Sequence, residues 1–233
     1  MPDLNRMGKL ILVPTPIGNL SDITDRAKDC IIKARIVLAE DTRTTGKLFN
    51  LLGIKAQLAA FHMHNEHSKV DRVVKEIEIN DSNTVLVCDA GTPGISDPGF
   101  LLVRECIKSD ITVEALPGPT ALIPGLVASG FPSDRFIFEG FLPLKKGRKS
   151  RINEWLNEKR TIVFYESPHR LLRCLKDMQS VLGDGRHICI AREISKLHET
   201  YHRGTIGEMF IYFSKNEARG EIVIILSGKN EKT

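Results

Sequence analysis

Apolar positions recur along the chain with two alternating periods. Lys9–Val13 (KLILV) is a short apolar run closed by Pro14 and Pro16, and predicts a strand. Asp25–Arg35 places Ala27, Ile31 and Ala34 on one helical face, and Val37–Ala39 predicts a second strand. Ser68–Ile79 is the clearest helix, because Val70, Val73, Val74 and Ile77 fall at i, i+3, i+4 and i+7. Its other face is charged, with Asp71 and Lys75 forming an acid-to-base pair one turn apart. Thr84–Cys88 (TVLVC) is nearly continuous in apolar residues, as expected of a strand buried on both faces. Phe100–Lys108 then predicts a helix and Thr112–Leu116 another strand. This β-α-β order implies right-handed crossovers and a mostly parallel sheet.

The pattern is interrupted at Lys145–Arg151 (KKGRKSR), where five of seven residues are basic. A domain boundary is placed there: residues 1–144, a basic linker 145–151, and residues 152–233. Beyond it the alternation resumes, with helix Arg151–Asn157, strand Thr161–Tyr165, helix His169–Leu182 and strand His187–Ala191. A helix near Ile206–Phe213 and a last strand Glu221–Leu226 follow. The fold class is α/β with two domains.

Composition narrows the class. The 233 residues are 42% hydrophobic and 27% charged, which excludes a disordered tail, a fibre and a coiled coil. A net charge of +4 permits an anionic partner without demanding one. Cys30, Cys88, Cys106, Cys174 and Cys189 form no C-x-x-C pair, which predicts reduced thiols, a cytoplasmic protein and no zinc ribbon. The first apolar run is too short for a signal peptide. The uncharged stretch Ala115–Ser133 holds four prolines and three glycines, too many breakers for a membrane span.

The richest segment is Asp89–Gly99, DAGTPGISDPG, directly after a buried strand. Ligands in open α/β sheets bind beyond the carboxyl ends of strands. Gly91, Gly94 and Gly99 allow close backbone approach, and Pro93 and Pro98 stiffen the loop. Asp89 and Asp97 supply acceptors, although Asp97 followed by Pro98 also has the form of a helix cap. The loop has neither G-x-G-x-x-G nor G-x-x-x-x-G-K-[ST] spacing, which argues against a nicotinamide dehydrogenase and a P-loop NTPase. Pro117–Ala121 (PGPTA) also closes a strand and opens a helix, with Thr120 either a cap or part of a backbone site. Pro14–Asn19 (PTPIGN) closes the first strand, and the three loops together suggest one crevice.

These residues, with VPTPIGNLSDITDRA, AEDTR, ALPGPTA, FEGFLP and FYESPHR, resemble the tetrapyrrole methylase family of S-adenosylmethionine-dependent methyltransferases, from about Lys9 to Leu226. Cys88 departs from the serine usual before the aspartate, and the first loop has the reduced form of the ribosomal RNA subgroup. The resemblance implies a class III methyltransferase with mostly parallel or mixed sheets and a cofactor crevice between two domains. The implied reaction is methylation of the ribose 2′-hydroxyl of a cytidine in small-subunit ribosomal RNA, by a homodimer acting on RNA or on the subunit. Implied contacts to S-adenosylmethionine are Pro14, Asp89, Ala90, Gly91, Ile95, Thr120, Ala121, Tyr165, Arg192 and Glu221. The competing readings are a same-fold methyltransferase of a tetrapyrrole or protein, and a non-catalytic RNA-binding module.

Methyl transfer to a hydroxyl needs in-line placement and a proton acceptor. Charged clusters at strand ends offer candidates: Glu40 and Asp41 beside Arg43, Glu166 beside His169 and Arg170, and Glu193 beside Arg192 and Lys196. Glu40, Asp41 and Glu166 are the candidate catalytic residues. Arg43, His169, Arg170 and Lys196 are expected to orient RNA. Lys145, Lys146, Arg148, Lys149 and Arg151 are either a solvated linker or phosphate contacts, the second being favoured. His62, His64, Glu66 and His67 invite a metal, but their spacing fits no common zinc pattern, and none is expected. Trp155 and Phe136, Phe138 and Phe141 read as core or interface, not as a base-stacking platform.

Overall fold

The computed structural model describes residues 8–144 and 146–229. The chain divides into two compact units, residues 1–120 and 121–233. This differs from the boundary expected at the basic run, and the reason is a strand that the apolar pattern left unassigned. Phe136–Phe141 pairs in parallel with Thr161–Glu166, so the chain has entered the second sheet before the basic residues begin.

The first unit contains β1 (Leu10–Leu12), α1 (Asp25–Lys33), β2 (Ile36–Ala39), α2 (Thr42–Leu51), β3 (Leu58–Ala60), α3 (Glu66–Glu78), β4 (Thr84–Val87), α4 (Phe100–Lys108) and β5 (Val113–Ala115). The strands run in the order β3-β2-β4-β1-β5 and all are parallel. The central strands β1 and β4 are buried on both faces, as their apolar runs require, while the edge strands β3 and β5 are only partly covered. Ile11, Val13, Val37, Val85 and Val87 pack with Ala27 and Ile31 of α1 and Phe49 of α2. Leu10, Leu12, Leu38 and Leu86 pack with Val70, Val74 and Ile77 of α3 and Leu102 of α4. The chain leaves β1 toward one face and β4, its neighbour, toward the other. Their carboxyl ends therefore form the topological switch point, where open α/β sheets bind ligands.

Two elements here lie outside the expected list. The sequence of α2, TRTTGKLFNL, has three threonines and a glycine, and its periodicity rests on buried Thr45 and Phe49 alone. Strand β3 has only three residues, LAA.

The second unit contains α5 (Leu122–Ser129), β6 (Phe136–Phe141), α6 (Arg148–Glu154), β7 (Thr161–Glu166), α7 (Pro168–Leu182), β8 (His187–Arg192), β9 (Thr200–Thr205), α8 (Ile206–Lys215) and β10 (Ile222–Leu226). Its sheet is mixed, in the order β6-β7-β10-β8-β9, with only β6 and β7 parallel. Ile162, Phe164, Ile188, Ile190, Ile222 and Ile224 point to a core shared with Ile152, Trp155, Leu171, Leu175, Met178 and Phe213. The alternate residue Val223 meets α5 at Gly125, where a Cβ would stand 3.3 Å from Val223 Cγ1. Strand β9 (TYHRGT) was not expected because it is a polar edge strand.

The expected linker also changes character. Gly147, at φ 93°, starts α6, so Arg148–Arg151 are helical, three residues earlier than expected. Among the described residues no helix is long and apolar enough to cross a membrane, and all five cysteines are free.

Candidate cofactor and RNA site

Within the first unit, three loops meet at the carboxyl ends of β1, β4 and β5. Thr15 and Gly91 exchange both backbone hydrogen bonds at 2.9 Å. The Thr15 hydroxyl donates to the Cys88 carbonyl at 3.1 Å, and the Thr92 hydroxyl to the Pro119 carbonyl at 3.0 Å. A Cβ on Gly118 would lie 2.8 Å from Pro14 Cβ, so the first and third loops also touch. Gly91, at φ 85°, occupies the centre of this arrangement, where an L side chain would be strained.

The far end of the Asp89–Gly99 loop is anchored from α3. The buried Glu66 carboxylate accepts hydrogen bonds from the backbone N–H groups of Gly99 and Leu101, both at 3.1 Å. It therefore satisfies the amino end of α4, whose N-cap is Gly99. Asp97 is not the cap, contrary to one of its two sequence readings. The surprising member of the His62–His67 segment is thus a structural acid turned inward; His62 and Asn65 bond to each other.

Freed from capping, Asp97 joins an acidic group. Burial, the charges of Glu40 and Asp89, and a partly opposing hydrogen bond with Cys88 leave its carboxyl pushed up to about 6. Burial and then Asp89 raise Glu40, and burial and Asp41 raise Asp89. The Asp41 backbone N–H donates to Asp89 Oδ1 at 3.2 Å, tying the ends of β2 and β4. Asp41 itself behaves differently. It caps α2 through Arg43 N at 2.8 Å and grips the Arg43 guanidinium, whose hydrogen bonds hold its carboxyl far below the usual range. The Asp41–Arg43 pair is a cap and a clamp, so Asp41 is poorly suited to take a proton, and Arg43 is already partnered.

The third loop enters α5 later than expected. The N-cap is Ala121, without a side-chain capping bond, so Thr120 is not a cap. Ile95 and Ala90 are exposed on the second loop, and Pro14 is buried beneath it.

In the second unit, the ends of β7 and β8 and the start of β10 form a second charged edge. Glu166 is wholly buried, with its Oε1 2.7 Å from Arg170 Nη2 and accepting from Ser167 N at 2.8 Å. A group so enclosed cannot reach a substrate hydroxyl, so the expected chemical role for Glu166 gives way to one of holding Arg170. Glu193 accepts from Lys196 Nζ at 2.9 Å and Glu221 N at 2.8 Å, while Lys196 also lies 3.3 Å from Glu221. Arg192 donates to the Arg219 carbonyl at 3.2 and 2.8 Å. Tyr165 is half-buried and His169 exposed.

The basic run separates by residue. Arg148 is buried and pairs with Asp177 of α7 at 2.9 Å, so it is an anchor and not an RNA contact. Arg151 lies between Glu154 at 2.8 Å and Glu139 at 3.5 Å. Lys146 and Lys149 are exposed. Lys145 lies outside the described residues.

The fold and these strand-end loops define a class. The sequence model of the Tetrapyrrole (Corrin/Porphyrin) Methylases matches residues 9–209, and the chain belongs to that family. Ribosomal RNA small subunit methyltransferase I of Escherichia coli O157:H7 is 48% identical over 227 residues, covering 96% of this chain and 79% of its own. The protein of the same name from Thermotoga maritima is 45% identical over 223 residues, covering 96% and 100%. Among solved structures, uroporphyrin-III C-methyl transferase from Thermus thermophilus, complexed with S-adenyl homocysteine, superposes with a TM-score of 0.65 at 19% identity, covering 94% of this chain and 97% of that one.

Proposed function

We propose that this chain is an S-adenosylmethionine-dependent methyltransferase that modifies the ribose 2′-hydroxyl of a cytidine in small-subunit ribosomal RNA. The observation that carries this reading is the 48% identity, across nearly the whole chain, to a ribosomal RNA small subunit methyltransferase I.

The first unit fits the cofactor on physical grounds. Glu40, Asp89 and Asp97 are gathered so that their carboxyl groups resist ionisation. Burial is the main cause and mutual repulsion adds to it; a cationic ligand relieves the repulsion, and a nucleoside diol offers hydroxyls for carboxylates to accept. Gly91 keeps side-chain atoms out of the space beside Ile17 and Pro119. Asp89, Ala90, Gly91 and Ile95 would hold the nucleoside and sulfonium portions, with Pro14, Thr120 and Ala121 beside them. Tyr165, Arg192 and Glu221 are further proposed cofactor contacts. When bound, S-adenosylmethionine supplies a methyl group carried on a cationic sulfur.

The chain's own residues contribute placement and proton handling. Ordering the acceptor hydroxyl in line can lower the barrier by roughly 7–11 kcal/mol. Of the candidate acids, Glu40 is assigned the hydroxyl proton, because its surroundings lift it toward neutrality while Asp41 is clamped by Arg43. Lys146, Lys149, His169 and Arg170 serve phosphate and ribose, while Arg151 and Lys196 are held by their carboxylate partners. The protein acts as a cytoplasmic homodimer on RNA or on the assembled small subunit.

Methyl transfer from labelled cofactor to small ribosomal subunits, with mapping of the modified nucleotide, tests the reading. A single 2′-O-methylcytidine is the expected product; no incorporation, or a methyl group on a base, would sink it. Glu40→Gln should slow single turnover by ~10²–10⁴-fold, and a normal rate would remove Glu40 from proton transfer.

A further inference from the structure

We propose that Phe141, with the Arg170 guanidinium beside it, is a platform on which one unstacked nucleobase of the RNA stacks. The proposal rests on the RNA reading above and adds a residue and a contact type to it.

The sequence reads Phe141 as core or interface, and a bulge decides which side of the strand it takes. The register of β6 against β7 shifts between Phe138 and Phe141, leaving one extra residue in β6. Gly140, at φ 62°, supplies the conformation this needs. Without the shift, residue 140 would oppose Tyr165. With it, Phe141 takes that place and comes to the same face as Phe138. Bulges of this kind re-aim side chains and recur beside functional sites.

The three rings form one contiguous cluster of edge-on and tilted contacts. Phe138 meets Tyr165 edge-on at 5.2 Å, and Phe141 meets Tyr165 at 5.4 Å with a 54° tilt. Phe141 ends the series 54% exposed. Tyr165 and Phe138 thus back a ring whose outer surface is open. The Arg170 guanidinium carbon lies over that ring, 6.0 Å from its centre, so cation and ring together form the surface. Buried Glu166 fixes its position at 2.7 Å, so the cation is already ordered before any ligand arrives.

The helix that carries Arg170 is basic on its exposed side. His169, Arg173 and Lys176 of α7 and Lys149 of α6 are exposed. The carboxylates nearby are already engaged: Asp177 with Arg148, and Glu139 with Arg151. A supported aromatic ring with a planar cation over it, on a unit whose α7 carries further exposed cations, matches what single-stranded RNA recognition uses: stacking for the base, cations for phosphate. An exposed phenylalanine alone would signify nothing; the bulge that turns it out and the anchored guanidinium give it a use.

The test uses the full chain and a short single-stranded RNA spanning the modified cytidine. The sole tryptophan, Trp155, is buried and serves as an internal reference. Phe141→Trp should bind RNA like the parent protein and show tryptophan quenching that the parent lacks. Phe141→Ala should weaken RNA binding about ten-fold or more, with affinity for S-adenosylhomocysteine unchanged by calorimetry. Equal RNA binding by Phe141→Ala, an unquenched Phe141→Trp at saturating RNA, or no RNA binding by the parent protein each overturns the platform. Loss of dimer with intact RNA binding in Phe141→Ala also overturns it, assigning the face to a second copy. Stacking is read here without methyl transfer. A chain that binds and quenches but never methylates therefore refutes the enzymatic reading and leaves the platform standing.

Discussion

At the carboxyl edge of the first sheet, Glu40, Asp89 and Asp97 crowd together and resist ionisation. At the charged edge of the second sheet, Glu166 faces Arg170, and Glu193 and Glu221 share Lys196. Both edges carry carboxylates at strand ends, and from sequence both look like catalytic clusters. The difference is whether the charge is already answered. An answered charge holds architecture in place; Glu166 shows this by orienting Arg170. An unanswered group of carboxylates lowers stability unless a cation joins it, and so marks a ligand site. A graded form of the same division runs inside the basic segment, where Arg148 is buried against Asp177 at 2.9 Å and the exposed Lys149 reaches that carboxylate only at 3.9 Å.

The strongest challenge to this contrast is removal of an answered charge. Arg148→Ala leaves Asp177 facing a buried gap and should lower unfolding free energy by about 3–5 kcal/mol. Lys149→Ala should change it by less than about 0.5 kcal/mol. Similar urea midpoints for the two variants would mean that Arg148 is not an anchor. A smaller effect is expected from the acid that fixes the ligand loop. Glu66→Ala should cost about 2 kcal/mol, since it strands two amide groups at the start of α4, and should weaken cofactor binding. Glu66→Gln keeps one acceptor oxygen and should recover much of both losses. Unchanged cofactor affinity in Glu66→Ala would detach that acid from the loop.

Neutralising one of the unanswered carboxyl groups is expected to change stability by less than the loss of Glu66, and with the opposite sign. Asp97 ionises near 6 when folded and near 3.8 otherwise. As pH rises, the unfolded chain loses this proton first, so the carboxyl destabilises the fold progressively between those values and fully above them. Asp97→Asn should therefore stabilise the protein by about 1 kcal/mol at pH 7.5, after allowance for solvent screening, and make no difference below pH 4. Cofactor affinity of the parent protein should rise from pH 5 to 7 as the group ionises. A flat affinity profile would leave the raised carboxyl without a ligand to explain it.

Glu66 and Asp97 also show why part of the site was hard to read. Asp97-Pro98 has the local form of a cap, but the actual cap is supplied from 33 residues earlier by Glu66 to Gly99. Nothing in local spacing distinguishes the two. The side of β6 that Phe141 takes was illegible for a related reason, since a one-residue bulge decides it. The elements missed, α2, β3, β6 and β9, are short, polar or at sheet edges, where partners outweigh intrinsic preference.

Sequence alone determined the buried strands β1, β4, β7, β8 and β10, the amphipathic helices α3 and α7, and the loops that close β1, β4 and β5. Each is a local pattern whose apolar period or glycine and proline content carries its own physical meaning. Tertiary structure alone decided which carboxylates are neutralised, which arginine of the basic run is buried, and which aromatic ring faces outward. Those outcomes depend on contacts between residues far apart in the chain, where burial strengthens electrostatics and a single change of register moves a side chain to the other face.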